Sequence, residues 1–294
     1  MIVPILEALA GKRLEFTEAL ELLALAGGLK KVARFTGTAR RLARLDNWLE
    51  ALAWPHALAP FHLETAFKTG LGDRFSRIAP GPPTARRHLG VCFIGEASAT
   101  RAAVDLEISG CPAAEAAKLY GYPACCAENY ETEIQHGRPW PESFLSGTQG
   151  LGEAPWPLNR FGRLFSPGLA ALPDYFPCRL HCAASLALAQ DYLALLRDLK
   201  LFSLITLIQE HLSRPILHLA GVIHKLAPFG DWEPGREGPP LIVETLASWN
   251  YAGPPRPLAR LRLAWAEGRL TAQALNEGGA EGEAEAVAAL IRFN

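Results

Sequence analysis

Tyr120-Gly121-Tyr122-Pro123-Ala124-Cys125-Cys126 is the stretch on which the reading of this chain turns. Gly121 closes a helical run that begins after Pro112, since a residue without Cβ takes the left-handed backbone in which helices commonly end. Pro123 opens the next helix, because the first helical position needs no N–H. Cys125 and Cys126 are thereby predicted in the first turn of a helix reaching about residue 135. A second stretch, Pro177-Cys178-Arg179-Leu180-His181-Cys182, repeats the device at the head of an apolar run over 183–199. Four of the six cysteines lie in these two segments. At a helix N-terminus the exposed N–H groups and the dipole favour thiolate over thiol.

Outward from these segments the periodicity reads mostly as helix. Leu14, Phe16, Ala19, Leu20, Leu22, Leu23 and Leu25 make a broad apolar face that Gly27-Gly28 ends. Further helices are predicted over about 29–35, 38–53, 97–108, 113–120, 201–212, 257–268 and 271–276. A last short one follows the acidic stretch Glu277 to Glu285. Leu89 to Gly95 reads as a short buried strand that holds Cys92 in the core. Residues 57–88 are mixed, 214–226 and 241–249 fit helix or strand, and 137–177 is a long connection rich in proline, glycine and aromatic residues. The fold class expected is mainly α with a few short strands (α+β). A helical N-terminal region over 1–88 packs on a cysteine-bearing core domain over 89–294.

Hydrophobic residues make up 49% of the chain and charged residues 20%, which supports a sizeable core. A net charge of −1 creates no general attraction for nucleic acid or acidic membranes. The first residues lack a basic leader, and no uncharged apolar run reaches the roughly 18 residues of a membrane span. A cytoplasmic protein without a membrane segment is expected. In that reducing compartment clustered cysteines read as ligands or redox groups before disulfides. Lys30, Lys31, Arg34, Arg40, Arg41 and Arg44 form a basic stretch that is either a solvated helix face or a weak case for RNA. Residues 113–135 have a helix–turn–helix rhythm, but the second helix carries Glu128, Glu131 and Glu133 and neither lysine nor arginine, which disfavours DNA.

The cysteine spacing points to a metal. Cys178 and Cys182, four apart, share a face if they lie on a helix. Cys125 and Cys126 are adjacent, and neighbouring helical side chains diverge by about 100°. That divergence favours an iron–sulfur cluster, whose irons sit at separate corners, over a single zinc ion. The expected ligand set is Cys125, Cys126, Cys178 and Cys182, holding a 4Fe–4S cluster, with Cys111 in reserve and His181 turned away. The function read from this is an iron–sulfur protein, an enzyme or accessory factor in sulfur or metal-cofactor metabolism. Its partner would be a small molecule or a protein. The alternative is a zinc-stabilised scaffold or interaction protein, followed by RNA binding or thiol redox chemistry. No catalytic residue stands out.

Ile94-Gly95, the run from Lys118 to Cys126, and Phe176-Pro177-Cys178 with Cys182 resemble an uncharacterised prokaryotic family, the domain of unknown function 483. Its pattern is a glycine-tyrosine-proline-x-cysteine-cysteine segment followed by a proline-cysteine-x3-cysteine segment. The resemblance spans about residues 89–200. It implies that the four cysteines act together and brings no established activity.

Overall fold

The alternation in Val32-Ala33-Arg34-Phe35-Thr36-Gly37 sends side chains to two faces in turn, and it builds a strand where a helix over 29–35 was expected. The computed structural model describes residues 2–67, 74–83, 88–110, 113–134, 143–146, 150–161, 172, 175, 177–219, 222–227, 241–250, 260–266, 269–275, 285–287 and 289–293. The chain divides into two units, one of residues 1–68 and 72–138, the other of residues 69–71 and 139–294.

The first unit runs α1 (Ile2–Ala10), α2 (Phe16–Ala26), β1 (Val32–Gly37), α3 (Ala39–Ala51), β2 (His56–Phe67), β3 (Arg74–Pro80), β4 (His88–Gly95), α4 (Ala97–Ser109), α5 (Ala113–Tyr120) and α6 (Ala124–Asn129). A wider helical turn, Tyr130–Ile134, continues α6. The four strands form an antiparallel sheet in the order β1-β4-β2-β3. On one face Val32, Phe61, Leu63, Val91 and Phe93 pack against Ala103 of α4 and Tyr120 of α5. On the other lies α3, which approaches closely because β4 offers Gly90 there. A Cβ on Gly90 would stand 2.5 Å from a methyl of Leu42. The division expected between residues 88 and 89 thus falls inside one sheet, in which β4 pairs with both β1 and β2.

The second unit contains β5 (Gly150–Ala154), a short helical turn at Trp156–Leu158, α7 (Ala183–Asp198), α8 (Phe202–Leu212), β6 (Ile216–Leu219), β7 (Val222–Leu226), β8 (Leu241–Asn250), β9 (Arg260–Ala266), β10 (Arg269–Leu275), β11 (Glu285–Ala286) and β12 (Ala289–Phe293). Its strands join in the order β11-β10-β9-β8-β7-β6-β12-β5, and β12 lies parallel to β5. Leu217, Leu219, Leu226, Val243, Leu261, Leu263, Leu270, Ala272, Val287 and Leu290 form one buried cluster on this sheet.

The expectation of a mainly α fold is therefore corrected: this is an α+β fold with substantial sheet. The helices expected over 257–268 and 271–276 are the strands β9 and β10, and the last short helix is β12. Leucine, alanine and arginine favour helix by intrinsic propensity. In Arg260-Leu261-Arg262-Leu263 and Arg269-Leu270-Thr271-Ala272 the period of two puts every large apolar group on one side, and burial across neighbouring strands overrides propensity.

Two charged links tie the first unit together. Lys30 Nζ donates to Glu21 in a pair whose side chains are 3% and 6% exposed. Arg34 forks onto Glu107 of α4 at 2.5 and 3.0 Å, and the Tyr120 hydroxyl donates to the same carboxylate at 2.8 Å. Removing one partner of a buried pair leaves a charge stranded, at a cost of about 3–5 kcal/mol. Glu21→Ala is expected to destabilise the full chain on that scale, and Glu21→Gln, which keeps an acceptor for Lys30, by less. Urea unfolding of the two variants checks the order.

Candidate metal centre

The Gly-Tyr-Pro turn is seated on the backbone that enters β1. Gly121 has φ +70°, and a Cβ there would lie 2.9 Å from the carbonyl oxygen of Leu29, so glycine is needed for both conformation and space. The Lys31 N–H donates to Leu119 O at 3.2 Å, and the Tyr122 N–H closes the end of α5 on Ala117 O at 2.9 Å. The Lys30 ammonium sits 5.7 Å from the centre of the Tyr122 ring, a cation–π contact. Burial, and then the charge of Glu107, pushes the Tyr120 phenol well up, so it stays protonated as a donor.

Pro123 caps α6, and its carbonyl accepts from the N–H groups of Cys126 and Ala127 at 3.0 and 3.1 Å. Cys125 and Cys126 therefore do lie in a first helical turn. Cys126 is buried and Cys125 exposed. Their sulfurs are 3.9 Å apart, not splayed as adjacency on a helix suggested. In a first turn no preceding turn crowds the side chains, so rotamers closed in a helix interior are open.

The second pair is built differently from the expectation. No helix begins at Pro177. The Cys182 N–H donates to Arg179 O at 3.3 Å in a turn, and α7 starts at Ala183. Cys182 is its cap, and its sulfur accepts from the Ser185 N–H at 3.4 Å. The helix starts late because this sulfur satisfies an N–H that the first turn leaves orphaned. Cys178 and Cys182 are thus brought together by a turn, not by helical spacing. Pro177, Leu180 and Cys182 point inward, whereas Arg179 and His181 are exposed.

The sulfurs of Cys125, Cys126, Cys178 and Cys182 all lie within 4.8 Å of one another. Four thiol groups that close can bind a metal ion. Among the described residues Cys92, Cys125, Cys126, Cys178 and Cys182 are thiols, not half-cystines. His181 is no member of the group, and Cys111 lies outside the described residues. Cys92 is core: it is fully buried in β4, and burial, with Asp46 as a lesser cause, pushes its thiol up to about 12. His218 and His224 do not share a face, because the β6–β7 hairpin sets His218 opposite Ile223 and His224 opposite Leu217.

Of the basic stretch, Lys31, Arg40 and Arg44 are exposed, the last two on α3, while the other three are paired. Lys30 is paired with Glu21, Arg34 with Glu107, and Arg41 with Glu15 and Glu18. A second constellation, His62, Glu64 and His88, escaped the sequence reading because 57–88 showed no clear period. The spacing His62-x-Glu64, which puts both side chains on one face of a strand, was the available signal. Among the described residues no helix is long and apolar enough to cross a membrane. Comparison of the chain with protein-family models, with curated proteins and with solved structures finds no match.

The Cys92 shift carries a pH dependence. The unfolded chain releases this proton near pH 9.0, and the folded chain keeps it until about 12. A folded-state value raised above the unfolded one means that its contribution is fully present below about 9 and is lost as pH climbs toward about 12. Urea unfolding of the native chain and of Cys92→Ala at about pH 8 and about pH 10.5 should show the steeper loss in the native chain.

Proposed function

We propose that Cys125, Cys126, Cys178 and Cys182 bind a single tetrahedral metal ion, zinc before any other, and that this ion is structural. The observation behind the reading is the sulfur spacing: all four within 4.8 Å, with Cys125 and Cys126 at 3.9 Å. Thiolates sharing one zinc at bonds of ~2.3 Å stand about 3.8 Å apart. Around a 4Fe–4S cube each thiolate meets its own iron, so two sulfurs are separated by two Fe–S bonds and an Fe–Fe edge. A cube therefore needs the side chains to spread, while one ion needs them only to settle.

A closed set of four thiolates leaves no position for substrate, which is the pattern of structural zinc. When bound, the ion supplies a cross-link between residues 125–126 and residues 178–182. The chain supplies the rest: Pro123 sets the first pair in a helical turn, and the Ser185 N–H donates to Cys182. Such hydrogen bonds from the protein orient a ligand and tune the charge it presents to the metal. The two-segment pattern that resembles the uncharacterised prokaryotic family groups the same residues, and we include membership of that family in the proposal.

Metal, sulfide and spectral analysis of anaerobically purified protein tests this. Colourless protein with thiolate-bound zinc and no sulfide is expected. Brown protein containing iron and labile sulfide would overturn the single-ion reading in favour of the cluster, and metal-free thiols would overturn both. Cys182 separates ligand from cap. Cys182→Ser and Cys182→Ala should both lose one equivalent of zinc. Serine remains a good cap, so alanine should cost about 1 kcal/mol more in thermal unfolding of the metal-free proteins.

A further inference from the structure

His62, Glu64 and His88 bring three more ligand atoms within 4.8 Å of one another. His62 and Glu64 are two apart on β2, and His88 of β4 stands directly opposite Glu64, so all three share one face of the sheet. The β2–β4 ladder is irregular between Leu58 and His62, where β2 carries more residues than its partner. Pro60, which has no N–H to lose, falls in that irregularity. Its carbonyl accepts from the Gly81 N–H at 2.9 Å. Gly81 has φ +89°, and its own carbonyl oxygen lies 2.9 Å from His62 Nδ1.

A carbonyl only accepts, so that last contact places a proton on Nδ1, and in the neutral form of the ring the lone pair is then at Nε2. His62 is 6% exposed, and its Nε2 is buried without a hydrogen-bond partner. Buried polar atoms are nearly always satisfied, and leaving one unsatisfied costs stability, so each exception calls for a physical reason. Glu64 Oε1 stands 4.0 Å from this nitrogen. The His88 ring stacks on His62, with centroids 4.4 Å apart and planes at 20°. Opposite His62 in the ladder is Gly90, which adds no side chain to this face.

We propose that His62, Glu64 and His88 form a second metal site, for a divalent transition-metal ion held by two imidazoles and one carboxylate. The Nδ1–H to carbonyl bond of His62 is the outer-shell contact that orients metal-binding histidines and raises their basicity. Ligands sharing an ion at bonds of ~2.1 Å stand about 3.4 Å apart, so the gap between His62 and Glu64 closes by a shift of well under an ångström. Two nitrogens and one oxygen suit zinc, cobalt, nickel or ferrous ions, a harder set than four thiolates. Three protein ligands also leave a position open for water or an exchangeable ligand, in contrast to the closed cysteine set.

Anaerobic titration of the reduced, metal-free full chain with cobalt(II), followed by absorption, separates the two sites. Thiolate-bound cobalt gives intense near-ultraviolet charge-transfer bands, whereas an imidazole–carboxylate site gives weak visible bands alone. Both classes are expected in the native chain. His62→Ala, His88→Ala and Glu64→Gln should each weaken the weak-band class at least ~10-fold and leave the charge-transfer bands unchanged. The double variant Cys126→Ser with Cys182→Ser should do the reverse, so failure of one site does not imitate failure of the other. Glu64 is partly exposed, so Glu64→Gln keeps the test open where His62→Ala disturbs the sheet. Thiolate-bound cobalt has visible bands of its own, so the deciding sample is the double cysteine variant: absence of weak visible bands there would overturn the proposal, as would weak bands that survive Glu64→Gln and His88→Ala in that background.

Discussion

Burial of the Lys30–Glu21 ion pair is the constraint from which the first unit takes its arrangement. Neither charge is stable alone in that interior, so α2 and the approach to β1 must meet at one place. Tyr122 then covers the ammonium, and Gly121 brings its backbone against Leu29, where no side chain fits. The start of α6 inherits its position from these contacts. The direction in which Cys125 and Cys126 point is thus set by an ion pair roughly a hundred residues earlier in the chain and by a turn that only glycine can make.

The same demand to satisfy buried charge accounts for Arg34 in the basic stretch. Arg34 is placed on the sheet face that α4 and α5 cover, where burial opposes its charge and Glu107 more than restores it, so its pKa ends above the ordinary value. Glu15 and Glu18 engage Arg41 at the other end of the stretch. Lys30, Arg34 and Arg41 are thus engaged by carboxylates of the chain itself, whereas Lys31, Arg40 and Arg44 are exposed. An arginine count in a linear sequence does not reveal this, because its acidic partners lie on other elements.

The two side-chain constellations each combine buried and solvent-facing members. Among the four cysteines Cys125 is exposed, and Cys182 already caps a helix. Among His62, Glu64 and His88, the His62 ring is held at Nδ1 by the Gly81 carbonyl and its Nε2 is buried without a hydrogen-bond partner. Both depend on backbone irregularities: a turn ahead of α7 in one case, and a break in the β2–β4 ladder in the other. Irregular backbone of this kind is where strands and helices re-aim side chains toward a site.

The sequence by itself determined that four cysteines fall in two proline-led pairs, the helix boundary at Gly121-Tyr122-Pro123, the strand over 89–95 and the core position of Cys92. Each follows from local rules: proline and glycine constrain their own backbone wherever they stand, and an apolar run between turn residues is buried in almost any fold. Tertiary structure alone decided that 32–37, 56–67, 260–266 and 269–275 are strands, because such a segment takes its form from the neighbours it can bury against. It also decided that the sulfurs of Cys125 and Cys126 converge and that Cys178 and Cys182 meet through a turn. Adjacency on an ideal helix sets average directions, but a side chain's rotamer is chosen by what surrounds it. His62, Glu64 and His88 become neighbours only when β2 pairs with β4, and strand register is a property of the folded sheet that no single stretch of the chain encodes.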